Sequence, residues 1–192
     1  MGVTQEIHDK WNPKSFNGGV RLWWLSPSFR DLRYIDRELH VNMFYASKSN
    51  AYAVLWLKPT WFGNSRFTWP EFKRWIPHSS LVSGSGENIC IGIILSNQLV
   101  KDKRLWGDNK NIWSVQGGSK SSETCKWLLD RLMPDGEGIV VDPYAQSADL
   151  ASWCKRLNVE YRGYTENQEL RDKIEKALAQ LELPGIQEVL PL

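Results

Sequence analysis

The stretch Gly138-Ile139-Val140-Val141-Asp142-Pro143-Tyr144-Ala145-Gln146-Ser147-Ala148-Asp149 constrains the fold more than any other part of the chain. Three consecutive β-branched residues make a short buried strand, Asp142 ends it, and Pro143 cannot continue a ladder of backbone hydrogen bonds. The small and polar residues that follow start a helix. A strand, a turn and a helix N-terminus in that order build the carboxyl edge of an open α/β sheet, where ligands bind. The stretch therefore predicts a small-molecule site, and by composition alone leaves the molecule open.

The remaining sequence supplies the alternation such a sheet needs. Val20-Arg21-Leu22-Trp23-Trp24-Leu25 predicts a buried strand that runs into Ser26-Pro27-Ser28-Phe29, a second strand ending against proline. Leu32, Ile35, Leu39 and Met43 recur at helical spacing and predict a helix over 31–44. Further strands are predicted over 51–57, stopped by Lys58-Pro59, over 89–95 and over 111–115. A helix over 122–133 places Cys125, Leu128, Leu129 and Leu132 on one face, with a serine as N-cap, and Pro134-Asp135-Gly136 ends it. The central strand, 138–141, precedes a helix over 147–157 and a strand over 159–164. A last helix carries Leu170, Ile174, Ala177, Leu178 and Leu181. Strands alternating with helices predict an α/β fold with a mostly parallel sheet and flanking helices. The 192 residues suit a single domain, with 1–19 an irregular N-terminal segment, 60–86 an aromatic and basic loop region and 183–192 a tail.

Charge and aromatic content bear on partners. Residues 1–130 contain 17 Lys and Arg against 11 Asp and Glu, whereas 131–192 contain 7 against 11. A positive first part suits a polyanion, with solvated faces as the plainer alternative. Trp61, Phe62, Phe67, Trp69, Phe72 and Trp75 interleave with Arg66, Lys73 and Arg74, an arrangement that either stacks bases and holds phosphates or packs a loop onto the domain. Most of the 11 tryptophans are expected in the core. Cys90, Cys125 and Cys154 are odd in number and far apart, and the three histidines are scattered, so neither a disulfide framework nor a metal site is expected. A polar N-terminus and the lack of a long apolar run predict a soluble, intracellular protein without a membrane segment, in the cytoplasm or at the nucleoid or nucleus.

The order of motifs resembles that of amino-methyltransferases that use S-adenosylmethionine, in the circularly permuted (beta) class that methylates the exocyclic amino group of adenine or cytosine. Ser26-Pro27-Ser28-Phe29 is similar to that family's catalytic motif of Asp, Asn or Ser, then Pro-Pro, then an aromatic. Trp56-Leu57-Lys58 is similar to its Trp-x-Lys element, and Glu87-Asn88-Ile89-Cys90-Ile91-Gly92 to a strand introduced by Glu. Asn111-Ile112-Trp113 and Ser119-Lys120-Ser121-Ser122-Glu123 are similar to a short Ile-Trp strand and to the segment that opens a helix. Asp142-Pro143-Tyr144 fits the family's Asp-Pro-Phe, and Tyr161-Arg162-Gly163-Tyr164 its last strand. The resemblance covers most of residues 20–180 and implies a Rossmann-like methyltransferase fold.

The resemblance also implies roles. Ser26 and the Pro27 carbonyl would orient the target amino group, with Ser28 and Phe29 completing the catalytic turn and Phe29 stacking on an extruded base. Lys120, Asp142, Tyr144, Gln146, Ser147, Thr165 and Glu166 would line the S-adenosylmethionine site. Arg30, Arg33, Lys58, Trp61, Arg66, Lys73 and Arg74 would hold nucleic acid, DNA ahead of RNA. The chain departs from the pattern in three places. Ser28 replaces the second proline, Gln146 and Ala148 stand at glycine positions of the cofactor loop, and Thr165, followed by Glu166, stands at the acidic ribose-binding position. Glycine there lets backbone amides approach a ligand. The sequence thus supports an active methyltransferase that keeps the cofactor. It also supports a methyltransferase-like protein that has lost catalysis and serves as a nucleic-acid-binding or partner subunit, and the small size suits a partner or a homodimer in either case. An unrelated α/β protein whose Asp-Pro turn caps a helix is the third alternative.

Overall fold

The computed structural model describes residues 4–9, 18–27, 43, 45–61, 75–83, 89–97, 112–115 and 121–181. Among these residues eight strands form one sheet: β1 (Gln5–His8), β2 (Val20–Leu25), β3 (Ser47–Leu57), β4 (Ile76–Ser83), β5 (Cys90–Ser96), β6 (Ile112–Val115), β7 (Ile139–Asp142) and β8 (Glu160–Tyr164). Their spatial order is β1-β8-β7-β2-β3-β5-β4-β6. All neighbours are parallel except at β5, which runs against both β3 and β4. The sheet is therefore mixed and mostly parallel, as the alternation predicts. The helices α1 (Ser122–Leu132), α2 (Asp149–Arg156) and α3 (Gln168–Gln180) flank it.

Both faces of the sheet are covered, which explains why its central strands read as continuous apolar runs. On one face Leu22, Trp24, Tyr52, Val54, Trp56, Val140 and Tyr161 pack with Cys125, Leu128, Leu129 and Leu132 of α1, Leu150 and Cys154 of α2, and Ile174 and Leu178 of α3. The opposite face holds Val20, Trp23, Leu25, Ala53, Leu55, Leu57, Leu95, Val141 and Tyr164, with Met43, Ala46 and Trp75 against them. Successive residues of β2 and β7 thus enter opposite cores. Trp23, Trp24, Trp56, Trp75 and Trp153, five of the 11 tryptophans, are buried, and Trp61 and Trp127 are half-buried.

Local chemistry sets the helix ends. Ser121 caps α1, its hydroxyl accepting from the Thr124 amide at 3.2 Å. Asn167 caps α3 through the Leu170 amide at 3.1 Å. At α2 the capping position is Ala148, which offers no side-chain acceptor. The turn into β7 depends on Gly138, with φ of 104° and a Cβ position only 2.7 Å from Cβ of Arg21.

Three elements differ from the sequence reading. Residues 5–8, expected in an irregular segment, form the edge strand β1, whose four residues are too few to show a period. Residues 76–83, expected in a loop region, form β4. Its pairing shifts register between Pro77 and Ser79, which accommodates a proline and a polar run inside a paired strand. β3 begins at Ser47 rather than 51: Ser47 already pairs with Val20, and the Asn97 side chain bonds the Lys48 carbonyl and the Ala51 amide across the irregular polar stretch before pairing resumes at Tyr52. The helix predicted over 31–44 lies almost wholly outside the described residues.

Candidate functional site

β2, β3, β7 and β8 run parallel, so their carboxyl ends share one edge of the sheet. Ser26 and Pro27 follow β2, Asp142 ends β7, and Thr165 and Glu166 follow β8. Because β2 and β7 are direct neighbours, the two strand-to-proline turns predicted from sequence meet. The Ser26 hydroxyl donates to the Tyr144 carbonyl at 3.4 Å, and the Gln146 side-chain amide donates to the Ser26 carbonyl. On its other side the loop is tied to β8, where the Ala145 amide donates to the Tyr164 carbonyl at 3.0 Å.

Asp142 is 3% exposed, and a carboxylate so buried requires donors. One oxygen accepts from the Tyr144 amide at 3.2 Å, which fixes the turn after Pro143. The other is approached by the Tyr161 hydroxyl at 3.5 Å. Burial, and then the negative charge of Asp142, hold the Tyr161 hydroxyl well above its usual range, so it stays a neutral donor. Tyr161 reaches Asp142 by lying along its own strand over Gly163, the register partner of Asp142. A Cβ at Gly163 would stand 2.8 Å from Cε1 of Tyr161 and 2.6 Å from Cδ1 of Ile7, and nearer still to the Tyr161 hydroxyl. Gly163→Ala is therefore expected to cost about 1–3 kcal/mol by overpacking, measured by urea unfolding, and less in a Tyr161→Phe background.

Two thiols lie behind the same carboxylate. Cys125 is pushed up by burial and then by the negative charges of Asp149 and Asp142, and Cys154 by burial, with Cys125 and Asp142 adding to it. Neither is a thiolate near neutral pH, so neither serves as a nucleophile. A disulfide reagent is expected to modify half-exposed Cys90 in the folded protein, and Cys125 and Cys154 only after unfolding.

The other sequence-predicted residues are placed as follows. The Thr165 amide donates to the His8 carbonyl at 2.9 Å, and its hydroxyl accepts from the Asn167 amide at 3.3 Å, which shapes the turn into α3. Glu166 is exposed and Ser147 half-buried. Lys58 is exposed just beyond β3, and Trp61 ends the 3-10 turn Pro59–Trp61. Ser28, Phe29, Arg30, Arg33, Arg66, Lys73, Arg74 and Lys120 lie outside the described residues. Among the described residues no group of His, Cys, Asp or Glu side chains is arranged to hold a metal ion, and no helix is long and apolar enough to cross a membrane. Sequence reasoning missed Tyr161 as the partner of Asp142. Its available signal was the spacing Tyr161-x-Gly163, which puts a long polar-tipped ring beside an open position on one face of a strand.

No family model and no curated protein matches the sequence. Solved structures match over nearly its whole length. M1.HpyAVI superposes with a TM-score of 0.67 at 14% identity, covering 91% of this chain and 98% of that one. The chain has a methyltransferase fold. TTHA0409, a putative DNA modification methylase from Thermus thermophilus, gives a TM-score of 0.67 at 13% identity, covering 95% and 97%. The cytosine-N4-specific PvuII DNA methyltransferase gives 0.66 at 10%, covering 96% and 89%. M1.HpyAVI and TTHA0409 have each also been solved with S-adenosylmethionine. In the methyltransferase fold of this chain, the Ser26 turn and the Asp142 loop stand side by side at the strand ends.

Proposed function

We propose that this chain is an S-adenosylmethionine-dependent methyltransferase acting on the exocyclic amino group of a nucleic-acid base, adenine N6 or cytosine N4, with DNA as the substrate. The observation that supports it most is the direct bonding of the Ser26 turn to the Asp142 loop, within a fold shared with DNA methyltransferases. The residues at the strand ends suit the cofactor chemically. Buried Asp142 matches an ammonium group, the first-turn amides of α2, which no side chain caps, match a carboxylate, and Thr165 and Glu166 match ribose hydroxyls. Tyr144, Ser147 and Lys120 complete the cofactor contacts in this reading, and Gln146 lies on the loop between them. When bound, S-adenosylmethionine would supply an electrophilic methyl group for the amine nitrogen, with its sulfur as the leaving group and the surplus N–H proton released to solvent.

Ser26 and the Pro27 carbonyl accept hydrogen bonds from the target amino group and fix its lone pair in line for attack. Phe29 stacks on the base, while Arg30, Arg33, Lys58, Trp61, Arg66, Lys73 and Arg74 hold the nucleic acid. One feature favours a second reading, a nucleic-acid-binding or partner subunit without catalysis. The loop from Pro143 to Ala148 contains no glycine, so every residue of the cradle carries a side chain.

Two measurements separate the readings: titration calorimetry with S-adenosylmethionine, and transfer of labelled methyl groups to single- and double-stranded oligonucleotides. Saturable cofactor binding and base methylation are the expected results. No binding at millimolar cofactor, together with oligonucleotide binding that collapses in salt, would overturn the enzyme in favour of the subunit.

A further inference from the structure

We propose that the Tyr144 carbonyl and the Gln146 amide are positioning groups that hold the Ser26 hydroxyl as a hydrogen-bond acceptor, and so select a target that presents an N–H. The inference rests on the methyltransferase reading above and names what makes serine serve in it.

A hydroxyl both donates and accepts, whereas a carboxylate only accepts. Beside a methyl-accepting amine the two directions have opposite effects. An accepting oxygen engages an N–H and leaves the nitrogen lone pair to attack. A donating hydroxyl bonds that lone pair and withdraws it from the reaction. In this site the direction is fixed by the partner, because the Tyr144 carbonyl has no proton to give. A hydrogen bond along the 3.4 Å approach of these two oxygens can only use the Ser26 proton, which leaves the lone pairs of the hydroxyl turned elsewhere.

The second bond holds that geometry. Pro27 brings no N–H to the turn, and Ser28 replaces a proline that would have stiffened it. The Gln146 amide, from an exposed side chain of the neighbouring loop, supplies a donor to the Ser26 carbonyl. Each segment thus donates once and accepts once, a reciprocal clamp between the two turns. Gln146, at a glycine position of the resemblance, replaces a lost backbone cradle with a side-chain brace.

The chain contains a single Ser-Pro step, so labelling serine at the carbonyl carbon and proline at nitrogen gives one carbonyl–nitrogen NMR peak, that of Ser26. The peak is expected to move upfield in Gln146→Ala and in Gln146→Glu, which is isosteric but cannot donate when ionised. Gln146→Lys, which keeps a donor, is expected to shift it back toward the wild-type position. Methyl transfer should follow the same rank. The turnover number should fall about 10–100-fold in the Ala and Glu variants, with the cofactor KM little changed, and recover in part in the Lys variant. A carbonyl peak that ignores all three substitutions overturns the clamp. A peak that moves while Gln146→Glu turns over like wild type overturns the positioning role. Absence of methyl transfer by the wild-type chain removes the catalytic reading itself, a failure distinct from either, since the carbonyl peak reports the bond without turnover.

Discussion

Asp142→Ala is expected to weaken S-adenosylmethionine binding about 100-fold or more, equivalent to about 3 kcal/mol for truncating one partner of a buried charged hydrogen bond. Two effects combine in that loss. The carboxylate that would meet the cofactor's ammonium group is gone, and the Tyr144 amide loses the acceptor that shapes the loop. Asp142→Asn separates them, because the side-chain carbonyl still accepts from Tyr144 while the charge is removed. Titration calorimetry on the three proteins, with circular dichroism to confirm folding, gives the comparison. An Asp142→Ala variant that binds as tightly as wild type would take Asp142 out of the site and the cofactor reading with it.

Ser26→Ala is expected to lower the turnover number about 100-fold while leaving the cofactor KM nearly unchanged, the signature of a group that acts on the reacting amine rather than on binding. Ser26 is only 6% exposed, so its side chain is held in one environment rather than sampling solvent. Ser26→Asp retains an acceptor at the same place and should recover part of the loss. Labelled methyl transfer to an adenine- or cytosine-containing oligonucleotide measures both variants. Equal turnover in wild type and Ser26→Ala would exclude Ser26 from the chemistry.

The sequence made the architecture legible where burial is two-sided or strongly periodic. β2, β7, α1 and α3 fall close to where their apolar patterns place them, and α1 is capped by a serine as its sequence predicts. β1 and β4 were hidden for a physical reason. Both are held by backbone pairing to neighbours, and neither needs a regular side-chain alternation. At the site, the two strand-to-proline turns announced themselves separately, but their meeting depends on β2 and β7 being sheet neighbours. The partner of Asp142 was equally out of reach. Tyr161 looks like an ordinary strand aromatic until Gly163 is seen to give its ring room.

The position of β2 has a consequence for how the protein is made. Ser26 and Tyr144, which touch, lie 118 residues apart, and the Gln5 side chain reaches the Val159 carbonyl across 154 residues. On a ribosome β2 can pair early with β3, but its other edge must wait for β7. Contacts of such long sequence separation form slowly, and an open strand edge carrying Leu22, Trp23 and Trp24 is adhesive while it waits. The nascent chain therefore displays a strand with two adjacent tryptophans to chaperones and to other copies of itself for most of translation.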